Sequence, residues 1–249
     1  MQIYVIRHAQ SRSQMGINGD ISKEPLLHPE LLKYDKVDHA LTAEGRYQAD
    51  RCGQRLSQVG FDYIYTGPLQ RHLETAYGVV RHQKNCKTVE IIHDLNETGD
   101  EQCNGLPIDI MRSIYPGMNI IPSPNPTRTG GPYDIPEEDI SEEGFRIRAR
   151  RVDKFIKENH PDNAKILLVT SCNYGGGVLI PALLGLSDEE IDRGVPFSLH
   201  NTSVSLVQFI KEKDAGYKDY MACEFINDVV HLTVPDSVDV SKIPLSNLY

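Results

Sequence analysis

The sequence predicts an α/β protein, a three-layer α/β/α sandwich around a mostly parallel central sheet. Three observations predict it. Short β-favouring runs alternate with longer segments whose apolar residues recur at helical spacing, which is the pattern of βαβ units. Residues 165–170 form the most apolar of the predicted strands, as expected for a central strand buried on both faces. The 249 residues are enough to bury a large core. The whole chain, 1–249, reads as one domain with a lid-like insertion over about 98–140.

Each element follows from its residues. Ile3, Tyr4, Val5 and Ile6 form a compact β run that ends at Arg7 and His8. A polar excursion with Pro25 and Pro29 comes next. Thr42 can cap a helix over residues 43–58, with Ala49, Cys52 and Leu56 on one face. Residues 61–66 read as a second strand closed by Gly67 and Pro68, residues 69–81 as a second helix, and residues 88–92 as a third strand. The stretch from 107 to 136 holds seven of the 15 prolines. It cannot sustain a long regular element, and only a short helix over 108–114 is expected there. Loops of that length are commonly lids or binding loops. Ser141 opens an amphipathic helix carrying Phe145, Ala149, Val152 and Ile156. After the central strand, residues 175–184 read as a glycine-led helix. Ser187 and Glu190 form a capping box. Residues 203–210 and 217–226 read as a hairpin around Asp214, Ala215 and Gly216. The remaining tail is expected to be loose.

Composition narrows the function. Acidic residues number 35 against 26 basic ones, a formal net charge of −9. That balance argues against nucleic acid and anionic membranes, which need a basic face. It leaves room for a small phosphorylated ligand, which responds to a few local arginines. The five cysteines include no C-x-x-C pair, so they read as reduced thiols rather than a disulfide framework or a zinc site. The apolar start is too short for a signal peptide, and no stretch approaches a membrane span. A cytoplasmic location is the expectation.

In largely parallel sheets, ligands sit outside the carboxyl ends of the strands. The residues that follow the strands here are Arg7-His8-Ala9-Gln10-Ser11, then Thr66-Gly67-Pro68-Leu69-Gln70-Arg71, then Asp94-Leu95-Asn96-Glu97, then Ser171-Cys172-Asn173-Tyr174-Gly175. Two arginines, a histidine, a carboxylate and a cysteine converge on one sheet edge. Two guanidinium forks can clamp phosphate oxygens. A histidine between them can attack phosphorus, and a carboxyl group can protonate the leaving oxygen and then activate water.

These motifs resemble the histidine phosphatase superfamily, the phosphoglycerate-mutase-like proteins. The resemblance rests on Arg7-His8-Ala9-Gln10-Ser11, Leu41-Thr42-Ala43-Glu44-Gly45 with Gln48-Ala49, Tyr65-Thr66-Gly67-Pro68-Leu69-Gln70-Arg71 with Thr75-Ala76, Leu95-Asn96-Glu97, and Asn201-Thr202-Ser203. It implies that His8 is phosphorylated during turnover, that Arg7 and Arg71 hold the phosphoryl oxygens, and that Glu97 is the proton donor. Ser11 and Gln14 would support the substrate pocket, together with Cys172 and Asn173 after the central strand. The family uses no metal and no cofactor. It acts on phosphomonoesters, by hydrolysis or by moving the phosphoryl group within a sugar acid. A dimer is common in such folds.

One departure stands out. Where the family carries a second histidine after the central strand, this sequence has Cys172. A neutral thiol is a weak donor to phosphoryl oxygens. Three functions follow. One is a phosphatase working on a small phosphorylated metabolite through phospho-His8. Another is a catalytically reduced relative that binds an anionic ligand. The third is a phosphoglycerate-mutase-type transferase. His200, at a strand entrance, is the nearest replacement for the missing imidazole, whereas His72 is expected to point elsewhere on its helix. Cys172 is not the nucleophile of a cysteine phosphatase, because the arginine such loops need six positions later is Val178 here. Arg128 in the lid is a further possible anion contact.

Overall fold

The computed structural model describes residues 1–15, 26, 28–31, 38–97, 106–122, 141–194, 197–210 and 219–245. Among the described residues, seven strands form one mixed, mostly parallel sheet: β1 Gln2–Arg7, β2 Tyr63–Thr66, β3 Thr88–Ile91, β4 Asn119–Pro122, β5 Lys165–Thr170, β6 Val204–Ile210 and β7 Tyr220–Asp228, in the order β4-β3-β2-β5-β1-β6-β7. The first five pair in parallel, and β6 and β7 complete the sheet antiparallel. The helices are α1 Arg12–Met15, α2 Ala43–Leu56, α3 Gln70–Val80, α4 Ile108–Ile114, α5 Glu142–Asn159, α6 Cys172–Tyr174, α7 Ile180–Leu183, α8 Asp188–Arg193 and α9 Val230–Thr233.

The layers follow from the two-residue period of the strands. Tyr4, Ile6, Leu167 and Val169 enter one core with Cys52 and Leu56 of α2, Leu73 and Val79 of α3, and Met111 of α4. Ile3, Val5, Ile166 and Leu168 enter the other with Ala149, Val152 and Ile156 of α5 and Leu183 of α7. Because both faces are covered, β1 and β5 carry unbroken apolar runs. The predicted three-layer arrangement is therefore present. Among the described residues, no helix is long and apolar enough to cross a membrane.

Three features depart from the sequence reading. The proline-rich stretch contains a strand, β4, which pairs in parallel with β3 at the sheet edge and ends on Pro122, where a missing N–H costs nothing. The glycine-led segment is not uniform: α6 runs into a π-helical turn over Gly175–Leu179 before α7. The described part of the tail, to Leu245, is packed rather than loose. The buried Arg51 of α2 donates to the carbonyls of His231, Val234, Pro235 and Val238, satisfying main-chain acceptors that a loose tail would leave to water. The tip of the β6–β7 hairpin around Asp214, most of the lid-like insertion with Arg128, and Cys103 lie outside the described residues. The four described cysteines are free thiols.

Backbone bonds carry the parallel ladder one step past the strands: His8 N–H donates to Thr170 O, Gly67 N–H to Val169 O and Ile92 N–H to Thr66 O. The loops after β1, β2, β3 and β5 therefore leave the sheet side by side.

Candidate active site

The loop after β1 is held from three sides. Gly45 of α2 packs directly beneath it, and a Cβ there would lie 2.0 Å from Gln10 O. Thr42 caps α2 through Gly45 N–H, and its hydroxyl donates to Gln10 Oε1 at 2.7 Å. Gln48 Oε1 accepts from Gln10 N–H at 3.0 Å, and Thr75 Oγ1 accepts from Ala9 N–H at 2.9 Å. The Leu41–Gln48 motif is thus scaffolding for the residues beside His8.

His8 is buried, and its Nδ1 lies 2.7 Å from Ala9 O. A carbonyl only accepts, so Nδ1 carries the ring proton and Nε2 keeps its lone pair. Burial, and then the charges of Arg71 and Arg7, push the imidazole's pKa well below 6.5. The ring is therefore neutral and nucleophilic at neutral pH.

Arg7 ends β1, and its Nη1 donates to Leu199 O at 2.6 Å. Its pKa is lowered, mainly by burial; the charge of Glu97 favours its cation and that of Arg71 opposes it, so these three groups share one field. Arg71 lies in the first turn of α3 and is buried. The preceding Leu69 offers no capping side chain. Asp38, distant in sequence, supplies the cap, accepting from Gln70 N–H at 2.9 and 3.1 Å. A carboxylate there satisfies orphan donors and opposes the positive end of the helix.

Glu97 is placed by a buried brace. Arg151 makes a two-pronged bond to the fully buried Asp94, at 2.9 and 2.8 Å. The buried Arg148 donates to the carbonyls of Asp94 and Asn96, with its guanidinium 4.5 Å from the Tyr174 ring. Glu97 Oε1 then accepts from Tyr174 N–H at 3.0 Å, which joins the carboxylate to α6. Cys172 opens α6, half-buried, with Sγ 3.3 Å from the Leu199 carbonyl that Arg7 also holds. Asn173 beside it is exposed.

The entrance to β6 closes the site. Asn201 Nδ2 donates to His8 O at 2.9 Å. Gln14 Oε1 accepts from Ser11 N–H at 2.9 Å, and its amide exchanges bonds with Asn201 at 3.2 and 3.3 Å. Gln14 thus braces Ser11 and Asn201 to each other, and Ser11 Oγ lies 2.8 Å from Ser13 Oγ. Thr202 adopts φ 54, a left-handed conformation that β-branched residues avoid. Its N–H donates to Arg7 O, and its Oγ1 lies 3.0 Å from His231 Nε2.

Burial, with the charges of Arg55 and Arg51, pushes the His231 pKa down to about 3. The unfolded chain takes up this proton near pH 6.5 and the folded chain does not. Stability from His231 is therefore complete above pH 6.5 and lost as pH falls towards 3. Near pH 5, His231→Gln is expected to reduce the pH slope of unfolding free energy by about 1.4 kcal/mol per unit. Urea unfolding at several pH values measures it, and an unchanged slope would refute the buried neutral state.

Two histidines sit differently from expectation. The backbone N–H of His200 donates to Asn227 Oδ1, and the residue is exposed. His72, expected to point away, is fully buried with its ring centroid 5.5 Å from that of His8. First-turn side chains lean back towards the helix N-terminus, which here is the site. Gly67 leaves the space, since a Cβ there would lie 2.2 Å from His72 Nδ1.

Residues 3–215 match the model of the histidine phosphatase superfamily, branch 1. The chain belongs to that superfamily. Among curated proteins, this superfamily member is 34% identical over 73 residues to a 2,3-bisphosphoglycerate-dependent phosphoglycerate mutase of Pseudoalteromonas atlantica, a match spanning 29% of this chain and 32% of that relative. Solved structures share its fold at low identity. Phosphoserine phosphatase from Entamoeba histolytica has a TM-score of 0.53 at 18% identity, covering 93% of this chain and 98% of its own. The alpha-ribazole phosphatase from Shigella flexneri has 0.54 at 20%, covering 92% and 97%. A mycobacterial glucosyl-3-phosphoglycerate phosphatase has 0.54 at 17%, covering 91% and 98%.

The sequence reading of this histidine phosphatase relative missed Asp38 as the cap of α3, Arg148 and Arg151 as the brace of Glu97, and His72. Asp38 has no local signal. The arginines lie on the helix that Ser141 caps, and their role depends on which loop packs beneath them.

Proposed function

We propose that the chain hydrolyses phosphomonoesters of small metabolites through a phosphohistidine at His8. The observation that carries this reading is the tautomer of His8: Nδ1–H is committed to Ala9 O, so Nε2 carries a lone pair in the field of Arg7 and Arg71. Nε2 attacks phosphorus, the bond to the ester oxygen breaks, and Glu97 gives that oxygen a proton. Glu97 then takes a proton from water, the resulting hydroxide attacks phosphorus, and the P–N bond breaks to release phosphate and neutral His8. Arg7 and Arg71 hold the phosphoryl oxygens, and their positive charge stays fixed as charge redistributes. Ser11, Gln14 and Asn173 border the substrate. Structures of this fold include phosphatases of phosphoserine, alpha-ribazole phosphate and glucosyl-3-phosphoglycerate, which favours a small phosphorylated metabolite.

Cys172 takes the place of the second histidine in this reading, beside Arg7, and lowers the rate by leaving the phosphoryl oxygens one strong donor short. The same residue favours a second reading, a chain that binds an anionic ligand without turning it over. Incubation with a panel of phosphomonoesters separates the two. Phosphate release with an acid-labile phosphoenzyme is expected. Tungstate binding with no release from any ester would favour the binder, and interconversion of phosphoglycerates would favour a mutase.

A further inference from the structure

His72 is an expensive residue where it stands. Its side chain is fully buried, Nε2 is 2.7 Å from Ser171 Oγ, and Nδ1 is buried with no hydrogen-bond partner. Leaving such an atom unsatisfied costs about 1–3 kcal/mol, which an apolar side chain of similar volume would avoid. The ring nevertheless connects three loops of the site. It touches His8 after β1, it lies on Gly67 after β2, and it bonds Ser171, the residue that precedes Cys172 after β5. Its own backbone adjoins Arg71. Burial, with the charge of Arg71, holds its pKa well below 6.5, so the ring adds no third cation beside the two arginines.

We propose that His72, hydrogen-bonded to Ser171, is a positioning residue for the nucleophile, fixing the His8 ring for in-line attack and tying it to the loop that carries Cys172. It touches no substrate; it acts through His8. The proposal rests on the phosphohistidine reading for its kinetic consequence, but the geometry it describes can be read without turnover. Misplacement of a reacting group by about 1 Å costs about a hundredfold in rate. The bond to Ser171 is what a purely space-filling role would not need.

The test compares His72→Phe, which fills the space without the bond, with His72→Gln, which can still bond Ser171, and with Ser171→Ala, the smallest change. Phosphoenzyme formation is followed in the millisecond range. His72→Phe and Ser171→Ala are each expected to slow it about ten- to hundredfold with KM changed less than about threefold, the double variant is expected to be no slower than either, and His72→Gln is expected to recover most of the rate. In parallel, the His8 Nδ1–H resonance in the ¹⁵N–¹H spectrum is expected in the wild type and in His72→Gln, and lost by exchange in His72→Phe and Ser171→Ala. Phosphorylation as fast in His72→Phe and Ser171→Ala as in the wild type, or an unchanged His8 resonance, would overturn the proposal. A wild type that forms no phosphoenzyme yet shows the expected loss of the resonance would sink the phosphatase reading and leave the positioning pair standing.

Discussion

His8→Ala is expected to form no phosphoenzyme and to lose at least about a thousandfold in phosphate release, because the variant lacks the imidazole lone pair that attacks phosphorus in the field of Arg7 and Arg71. Anion binding should survive. Arg7 is held by Leu199 O and Arg71 by the first turn of α3, so tungstate is expected to bind the variant and the wild type alike. The pH profile tests the same group. Burial and the two guanidinium groups hold His8 well below 6.5, so kcat/KM is expected to stay level as pH falls through 6.5, where an ordinary imidazole is half protonated. A His8→Ala variant as active as the wild type would remove His8 from the mechanism, whereas an acid limb centred at 6.5 would overturn the lowered pKa of its imidazole.

Cys172→His is expected to raise kcat by about ten- to hundredfold. A single donor to developing phosphoryl charge is commonly worth a factor of about a hundred to a thousand, and a neutral thiol supplies little of it. The position is suitable, because Sγ is 3.3 Å from the carbonyl that Arg7 holds and the residue is half-buried rather than enclosed. Cys172→Ser, a change without a new charge, is expected to leave the rate within about threefold. Single-turnover rates of phosphoenzyme formation and decay show which step gains. No gain in either would mean that the thiol does not stand where the donor is needed.

Much of the fold was legible because its signals are local. The strands at 3–6 and 165–170 are apolar runs, Thr42 and Ser141 cap their helices, and the Ser187–Glu190 box forms as its spacing requires. Arg7 ends a parallel strand of the sheet and His8, Arg71 and Glu97 follow parallel strands of the same sheet, so these four groups lie at one edge. What was not legible depends on partners remote in sequence. The tail is ordered by Arg51, α3 is capped by Asp38, and β4 survives among prolines because β3 offers it an edge.

The amino-acid sequence by itself determined the order of strands and helices, the residues that end each strand, and hence which chemistry gathers at one edge. Only the tertiary structure decided how those residues are oriented. The direction of His72 depends on a cavity left by Gly67, the tautomer of His8 depends on the local turn that brings Ala9 O to Nδ1, and the placement of Glu97 depends on an α6 amide. Periodicity and capping act over a few residues and are written in the chain. Hydrogen-bond partners and free volume between loops exist only once the sheet has brought those loops together.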